Sequence, residues 1–233
     1  MKKIVLILSL IILSMLSSCK NKIVGPGDDT PGRRDYTWTV DTLVGSPWTS
    51  MVRLWGSSPT DLWATGGGGD VDNLIQHFDG TKWRTGITTK YGMYYSPRGI
   101  FGFAKDNFYI GTCEGGVWHF DGNSLRQIKE LQDSLHEGTV FDNIWGKSPN
   151  DFYAVGACVD TGGYANNPVI AHFLNGKWDM LKTDGLYGIV EHLYQNSSDN
   201  RIYLQVVGGH NYTDSTTLLE YYQGEYYELY SNI

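Results

Sequence analysis

The stretch LWGSSPTDLWATG, residues 54–66, places an apolar strand, a polar turn and a second apolar strand within thirteen residues. Nearly the same pattern returns as IWGKSPNDFYAVG at residues 144–156. A strand-turn-strand unit that recurs along a chain is typical of a repeat architecture, in which one supersecondary unit is copied many times. The period of this repeat therefore decides the fold.

Four copies of the unit follow one another, with inner strands centred on Trp55, Phe101, Trp145 and Tyr194, at spacings of 46, 44 and 49 residues. This period is typical of a four-stranded propeller blade. In each copy a strand a is followed by a Ser/Pro/Asp/Asn turn, a strand b, a strand c and a strand d. The sequence predicts an all-β fold, a β-propeller of four-stranded antiparallel blades with four copies visible.

The connections between strands c and d carry Asp-Gly or Asn-Gly in three copies. This dipeptide between apolar runs predicts a type I′ turn, because both central residues then take positive φ. Helix signals are almost absent, and the exception is RQIKELQDSLHEG at residues 126–138, which predicts a short helix.

The N-terminus has the composition of a secretory signal: two lysines, about a dozen apolar residues, and small residues before Cys19. Leu16-Ser17-Ser18-Cys19 resembles the lipobox of bacterial lipoproteins, which implies cleavage that leaves Cys19 as a diacylated N-terminus. The alternative is an ordinary cleaved signal with an incidental cysteine. Residues 1–19 are therefore interpreted as a lipoprotein signal peptide, residues 20–35 as a flexible tether and residues 36–233 as the propeller.

The pattern W-G-S-S-P-x-D-x-[WY]-A-x-G, followed by [IV]-x-H-[FYW]-D-G-x-x-W, resembles a family of β-propeller repeats in secreted bacterial lipoproteins, mostly uncharacterised. The resemblance covers residues 36–233 and is strongest in the first and third copies. It implies a propeller fold and a cell-envelope location, with anchoring to the outer membrane on its periplasmic or surface side. The adjacent Asp-Gly differs from the spaced Asp-x-Gly of sialidase Asp-boxes, and no strand ends in a WD dipeptide, so neither function is carried over.

Residues 36–43 predict a strand d that precedes the first complete copy. With the four copies this makes seventeen strands where closure of four blades needs sixteen. Two interpretations follow: the chain is a fragment of a larger propeller with exposed apolar faces on its first and fourth blades, or it closes as a four-bladed ring with an extra edge strand.

Removal of the signal leaves 16 basic residues against 25 acidic ones, a net charge near −9. No basic stripe remains to follow a phosphate backbone, so we expect no nucleic-acid partner. The sequence contains no cofactor-binding motif, so we expect no cofactor. Cys113 and Cys158 occupy equivalent places in different copies, about a blade apart, so we do not expect a disulfide despite the oxidising compartment.

The variable connections, d to a and b to c, emerge on one face of an up-and-down blade, where strand a begins, and we call this face the loop face. At its centre, which we call the channel mouth, the residues just before the strand-a aromatic differ in charge between copies. Convergent polar and charged groups beside tyrosines suit a ligand such as a sugar, although such residues can also simply pair with one another. The candidate binding residues are Arg53, Arg98, Asp142, Asn143, Glu191 and His192, with Tyr91, Tyr94, Tyr95, Tyr164 and Tyr187 as aromatic walls.

Other polar patterns have weaker functional interpretations. His77, His119 and His172 recur at one repeat position, with Tyr221 replacing them in the fourth copy, which predicts a structural hydrogen bond rather than a metal site. Asp70, Asp72 and Asn73 alternate as calcium ligands do, but a further carboxylate is missing. Asp142 and Glu191 would suit a glycoside-cleaving enzyme if they face each other about 5 to 10 Å apart.

Three functions are consistent with these patterns. The first is a non-enzymatic, lipid-anchored module that binds a glycan or an envelope protein through the loop face. The second is a carbohydrate-active enzyme, a glycoside hydrolase or lyase. The third is a structural spacer or assembly platform.

Overall fold

The computed structural model describes residues 40–43, 45, 48–131, 136–159, 163–208 and 215–232. The chain divides into a unit of residues 1–41 and a unit of residues 42–233, and the strands and helices of the described residues belong to the second. The predicted signal peptide with Cys19 and the predicted tether lie outside the described residues.

Sixteen strands in the described residues form four antiparallel sheets, each in simple up-and-down order. Sheet 1 contains β1 (Ser50–Ser58), β2 (Asp61–Gly67), β3 (Ile75–Phe78) and β4 (Trp83–Arg84). Sheet 2 contains β5 (Pro97–Ala104), β6 (Asn107–Thr112), β7 (Gly116–Phe120) and β8 (Leu125–Glu130). Sheet 3 contains β9 (Val140–Ser148), β10 (Asp151–Val159), β11 (Ala165–Leu174) and β12 (Lys177–Met180). Sheet 4 contains β13 (Ile189–Gln195), β14 (Ile202–Val207), β15 (Thr216–Tyr222) and β16 (Glu225–Asn232). The predicted β-propeller of four-stranded blades is confirmed.

The predicted short helix is wrong over its first part. Arg126–Glu130 lies in β8 and pairs with β7, because a ladder partner satisfies this backbone and overrides local helix propensity; residues 132–135 lie outside the described part. Residues 40–43, the second half of the predicted extra strand, form no strand, and residues 36–39 are not described. A short helix, α1 (Ile87–Tyr91), and a 3-10 turn at Val71–Asn73 occur instead in variable connections of sheet 1.

Each sheet packs on the next through a cluster of buried apolar side chains. Ile75 of sheet 1 meets Phe108 and Ile110 of sheet 2 in the first cluster. The second cluster joins sheets 2 and 3, and the third joins sheets 3 and 4. No such cluster joins sheets 4 and 1 among the residues that the structure describes, so the apolar core lies in three interfaces between four sheets.

The hairpins between strands c and d follow two designs. Asn175-Gly176 and Gln223-Gly224 have positive φ at both residues and close two-residue loops, as a type I′ turn requires. The type I′ prediction is wrong for the Asp-Gly hairpins of sheets 1 and 2, where only the glycine has positive φ. There the carboxylates of Asp79 and Asp121 accept hydrogen bonds from the amides two and three residues ahead, which closes a four-residue loop. These bonds lower the pKa of Asp121 to about 2.

The repeated histidine of strand c bonds to the residue that begins strand b in sheets 1 to 3, as predicted for a structural role. The pairs are His77 Nε2 to Asp61 Oδ1 at 2.7 Å, His119 Nε2 to Asn107 Oδ1 at 2.9 Å and His172 Nε2 to Asp151 Oδ1 at 2.7 Å. Each ring also stacks on the strand-b aromatic beside it, His77 on Trp63, His119 on Tyr109 and His172 on Tyr153, with centroids 4.0 to 4.5 Å apart.

In the fourth copy the histidine is replaced by Glu220 and not, as predicted, by Tyr221. The register places Glu220 opposite Tyr203, the counterpart of the stacked aromatics, whereas Tyr221 packs on the cluster between sheets 3 and 4. Arg201 Nη1 donates to Glu220 Oε1 at 2.7 Å. The fourth copy therefore keeps a bonded pair at this place, but its acidic member lies on strand c and its basic member at the start of strand b. The prediction failed because the hairpin glycine stands three residues after the histidine in the first two copies but four residues after Glu220 in the fourth, although all four hairpins are equally long from that position to its partner on strand d.

His119 predicts a measurable dependence of stability on pH. Burial lowers its pKa, although Asp121 opposes this, so the folded chain resists protonation that the unfolded chain accepts near pH 6.5. Stability is therefore present above pH 6.5 and falls as the solution is acidified below it. We expect urea unfolding between pH 7.5 and 5.5 to show a steeper loss for the wild type than for His119→Gln. Parallel curves for the two proteins would contradict this.

Candidate functional site

Each inner strand departs from regular pairing at the candidate positions of the channel mouth. The register shift of each strand a falls between Met51 and Arg53 in β1, and at the equivalent place in β5, β9 and β13. A β-bulge of this kind redirects a side chain away from the regular alternation of a strand. The residues that the pairing skips are Val52, Arg98 with Gly99, Asp142 and Glu191.

The charged residues of the mouth contact one another across blades. Arg98 Nε lies 3.3 Å from Asp142 Oδ1, which joins β5 to β9. Arg53 Nη2 donates to the carbonyl oxygen of Glu191 at 3.3 Å, which joins the inner strands of sheets 1 and 4. This bond connects the first and fourth blades.

Two further residues complete this network. The Asn143 amide lies 3.0 Å from His192 Nδ1, which joins β9 to β13. A Cβ on Gly99 would come within 3.0 Å of the Asn143 backbone, so glycine permits the close approach of β5 to β9. Burial raises the pKa of Asp142, which Arg98 and Arg53 oppose and Glu191 reinforces. The mouth thus pairs four of its six predicted polar side chains, Arg98 with Asp142 and Asn143 with His192, while the Arg53 side chain contacts the backbone of Glu191.

The predicted aromatic walls do not form one surface. Tyr91 packs on the cluster between sheets 1 and 2 and meets Phe120 edge to face, so it is partly structural. Tyr94, Tyr95 and Tyr164 are exposed. Tyr187 lines a groove. Their role in ligand binding stays a prediction.

This groove lies on the loop face of sheet 3 and has a volume of about 540 Å³. The sequence analysis identified its d-to-a loop as variable and named Tyr187, but it missed the other lining residues because they come from four separate segments of the chain. The lining residues are His136, Cys158, Asn167, Pro168, Met180, Leu181, Lys182, Thr183, Asp184, Gly185, Leu186 and Tyr187.

Hydrogen bonds hold the d-to-a loop of the groove against sheet 3. The Leu181 amide donates to the Ile170 carbonyl at 3.0 Å, and Thr183 Oγ1 donates to the Pro168 carbonyl at 2.9 Å. From sheet 4, the Tyr226 hydroxyl donates to the Lys182 carbonyl at 2.9 Å. The wall is thus fixed from two blades, which pre-forms the groove for a ligand.

Three negative findings apply to the described part of the chain. It holds no group of three or more His, Cys, Asp or Glu side chains placed to bind a metal ion, and Asp72 and Asn73 lie in the 3-10 turn. No helix in it is long and apolar enough to span a membrane. No disulfide joins Cys113 to Cys158.

No protein-family model matches the chain, and no curated protein sequence matches it. Solved structures do resemble it. YCF48 bound to D1 peptide has a TM-score of 0.51 and 14% identity over 79% of this chain and 56% of that chain. YCF48 from Cyanidioschyzon merolae has a TM-score of 0.50 and 12% identity over 78% of this chain and 57% of that chain. The Cps50 (Swd1) β-propeller domain of Myceliophthora thermophila has a TM-score of 0.46 and 10% identity over 75% of this chain and 56% of that chain.

The two YCF48 structures share the β-propeller fold with this chain, and at 12% and 14% identity the likeness shows the fold alone. The chain spans little more than half the length of each of these structures. Its resemblance to the lipoprotein repeat family stays a prediction.

Removal of the arginine beside Asp142 should destabilise the fold. The Asp142 side chain is only 16% exposed, so Arg98→Ala leaves a buried carboxylate without its ion partner, at a cost of about 1 to 3 kcal/mol. The double variant Arg98→Ala/Asp142→Asn should recover part of the lost free energy of unfolding, because a neutral amide costs less to bury than a carboxylate. Since the pKa of Asp142 is raised, the loss should also shrink as pH falls toward 4. Urea unfolding at several pH values measures each effect; no recovery in the double variant would contradict the pairing.

Proposed function

We propose that this chain is a lipid-anchored β-propeller of a bacterial cell envelope that binds a peptide segment of a partner protein in the loop-face groove. The observation that carries the proposal is the groove itself. Its volume of about 540 Å³ lies within the range of small-molecule pockets, about 300 to 1,000 Å³, which is room enough for one or two side chains of a peptide.

The lining of the groove suits a peptide. Met180, Leu186 and Pro168 offer apolar surface for a side chain, while Lys182 and Asp184 offer charges of both signs. Asn167 adds a side-chain amide to the lining, and its Nδ2 donates to the Val159 carbonyl at 3.4 Å. A peptide combines apolar side chains with backbone donors and acceptors, so it can use all three kinds of contact.

The channel mouth is a less favourable place for a charged ligand. Arg98 and Asp142 already pair with each other, and a ligand there would have to replace that contact. Among similar folds, the YCF48 structure contains D1 peptide, which supports peptide binding as a use of this architecture.

A glycan ligand is the second candidate. The exposed side chains of Tyr94, Tyr95 and Tyr164 favour it, because sugar rings stack on accessible aromatic faces. Catalysis by Asp142 and Glu191 as a carbohydrate-active enzyme stays a prediction, as does the role of a structural platform.

Peptide binding can be tested with the full chain and a displayed library of random peptides. Selected peptides would be labelled and titrated by fluorescence anisotropy. We expect Leu186→Trp, which fills the groove, to weaken binding at least about tenfold, the equivalent of about 1.4 kcal/mol. Tyr94→Ala, in a different loop of the same face, is the matched control and should bind as the wild type does.

Three results would count against this proposal: no peptide selected, equal binding by Leu186→Trp, or a loss confined to Tyr94→Ala. A soluble oligosaccharide array probed with the same three proteins distinguishes the glycan candidate. Glycan binding that is lost in Tyr94→Ala and retained in Leu186→Trp would favour it.

The anchor has a separate test. When the wild-type protein is expressed in a bacterial host with its predicted signal peptide, residues 1–19, it should sediment with membranes, because two acyl chains on Cys19 bind the bilayer stably. Cys19→Ala should appear in the soluble fraction, while Cys113→Ala, the matched control, should stay with the membranes. A Cys19→Ala chain that still sediments with membranes contradicts lipidation.

A further inference from the structure

We propose that two copies of this chain associate through β16, the outer strand of sheet 4, by antiparallel pairing edge to edge. Within the described residues, β16 pairs with β15 on one side and no strand lies on its other side. Such an edge carries a row of backbone donors and acceptors that can pair with a second strand. This inference does not depend on the proposed ligand groove.

The exposed side chains of β16 are large and apolar. Tyr227, Leu229 and Tyr230 are 51%, 50% and 60% exposed. Tyr227 pairs opposite Glu220 and Tyr230 opposite Leu218, which are two residues apart on β15, so both tyrosines project from the same face of sheet 4. The register shift around Leu229 produces this placement.

The other outer strands are very short or carry basic side chains, whereas the charged residues of β16 are Glu225 and Glu228. β4 has only two residues, β8 carries Arg126 and Lys129, and β12 carries Lys177. Basic side chains and short length prevent association at exposed edges. β16 is eight residues long and contains no lysine, arginine or proline.

The sequence of β16 also fits pairing with itself. A twofold axis between Glu228 and Leu229 places Tyr227 opposite Tyr230 of the second copy and Glu228 opposite its Leu229. Residues directly opposite in an antiparallel pair project from the same face, as these tyrosines do. The register therefore gives two cross-strand aromatic pairs, which stabilise a sheet, and places no glutamates opposite each other.

An interface made of one eight-residue strand from each copy belongs to the small, weak class of interfaces, below about 1,200 Å² of total buried area. We therefore expect a dimer with a dissociation constant in the micromolar range. Such a dimer has an isologous interface with twofold symmetry, so association stops at two copies.

Sedimentation equilibrium of the full chain across the micromolar range tests the proposal. The weight-average molecular mass of the wild type should rise from that of a monomer toward that of a dimer as protein concentration increases. Tyr227→Lys/Tyr230→Lys replaces both aromatic pairs with opposed lysines and should weaken association at least about tenfold. Ile128→Lys, an exposed position on the outer strand β8, is the matched control and should dimerise like the wild type.

A second pair of variants tests the register itself. Mixing Tyr227→Lys/Tyr230→Lys with Tyr227→Glu/Tyr230→Glu should restore dimers that contain one copy of each, because lysines then face glutamates. Hydrogen exchange of wild-type β16 amides should slow as protein concentration rises, a readout that needs no variant.

The proposal is overturned if the wild type remains monomeric with exchange that does not depend on concentration, or if Tyr227→Lys/Tyr230→Lys dimerises unchanged. It is also overturned if Ile128→Lys abolishes the dimer equally. Because the groove is formed by residues outside β16, the monomeric variant should still bind the selected peptides, so either proposal can fail without the other.

Discussion

The packing of one four-stranded sheet on the next is the interaction on which the rest of this structure depends. Sheet 3 shows why: Phe152 is fully buried against sheet 2, while Val155, on the same strand, is buried against sheet 4. A sheet that is apolar on both faces cannot bury them alone, so it is stable only between neighbours, as in other repeat proteins. This stack holds the strand ends in fixed positions, which lets the variable loops differ in sequence without loss of the scaffold.

A polar pair accompanies the apolar packing in every blade. In three blades a histidine of strand c bonds to the start of strand b and stacks on the neighbouring aromatic, as His172 does with Asp151 and Tyr153. In the fourth, Glu220 and Arg201 occupy these places. The conserved element is a bonded pair between two strands, and the chemistry of its members can change as long as both polar groups remain satisfied at an interface.

The strands were predictable to within a few residues, because the alternation of apolar side chains and the polar turns recur with one period. The candidate site was predictable only in part. The approach of Arg98 to Asp142 follows from their equivalent positions in neighbouring copies, since equivalent positions of adjacent blades lie side by side. The groove was not predictable, because Asn167, Met180 and Leu186 meet only when the loop folds back on sheet 3.

The sequence by itself determined the repeat, the order of the strands and the face on which the variable loops gather, because each depends on short-range periodicity and turn chemistry. Tertiary structure alone decided the bulges of the inner strands and the pairing of the mouth charges. It also decided which residue of the fourth copy, Glu220, occupies the place of the histidine. It also converted the predicted helix at residues 126–138 into strand β8 over its first part. These features depend on register and on contacts between residues distant in the chain, where a shift of one residue reverses which face a side chain occupies.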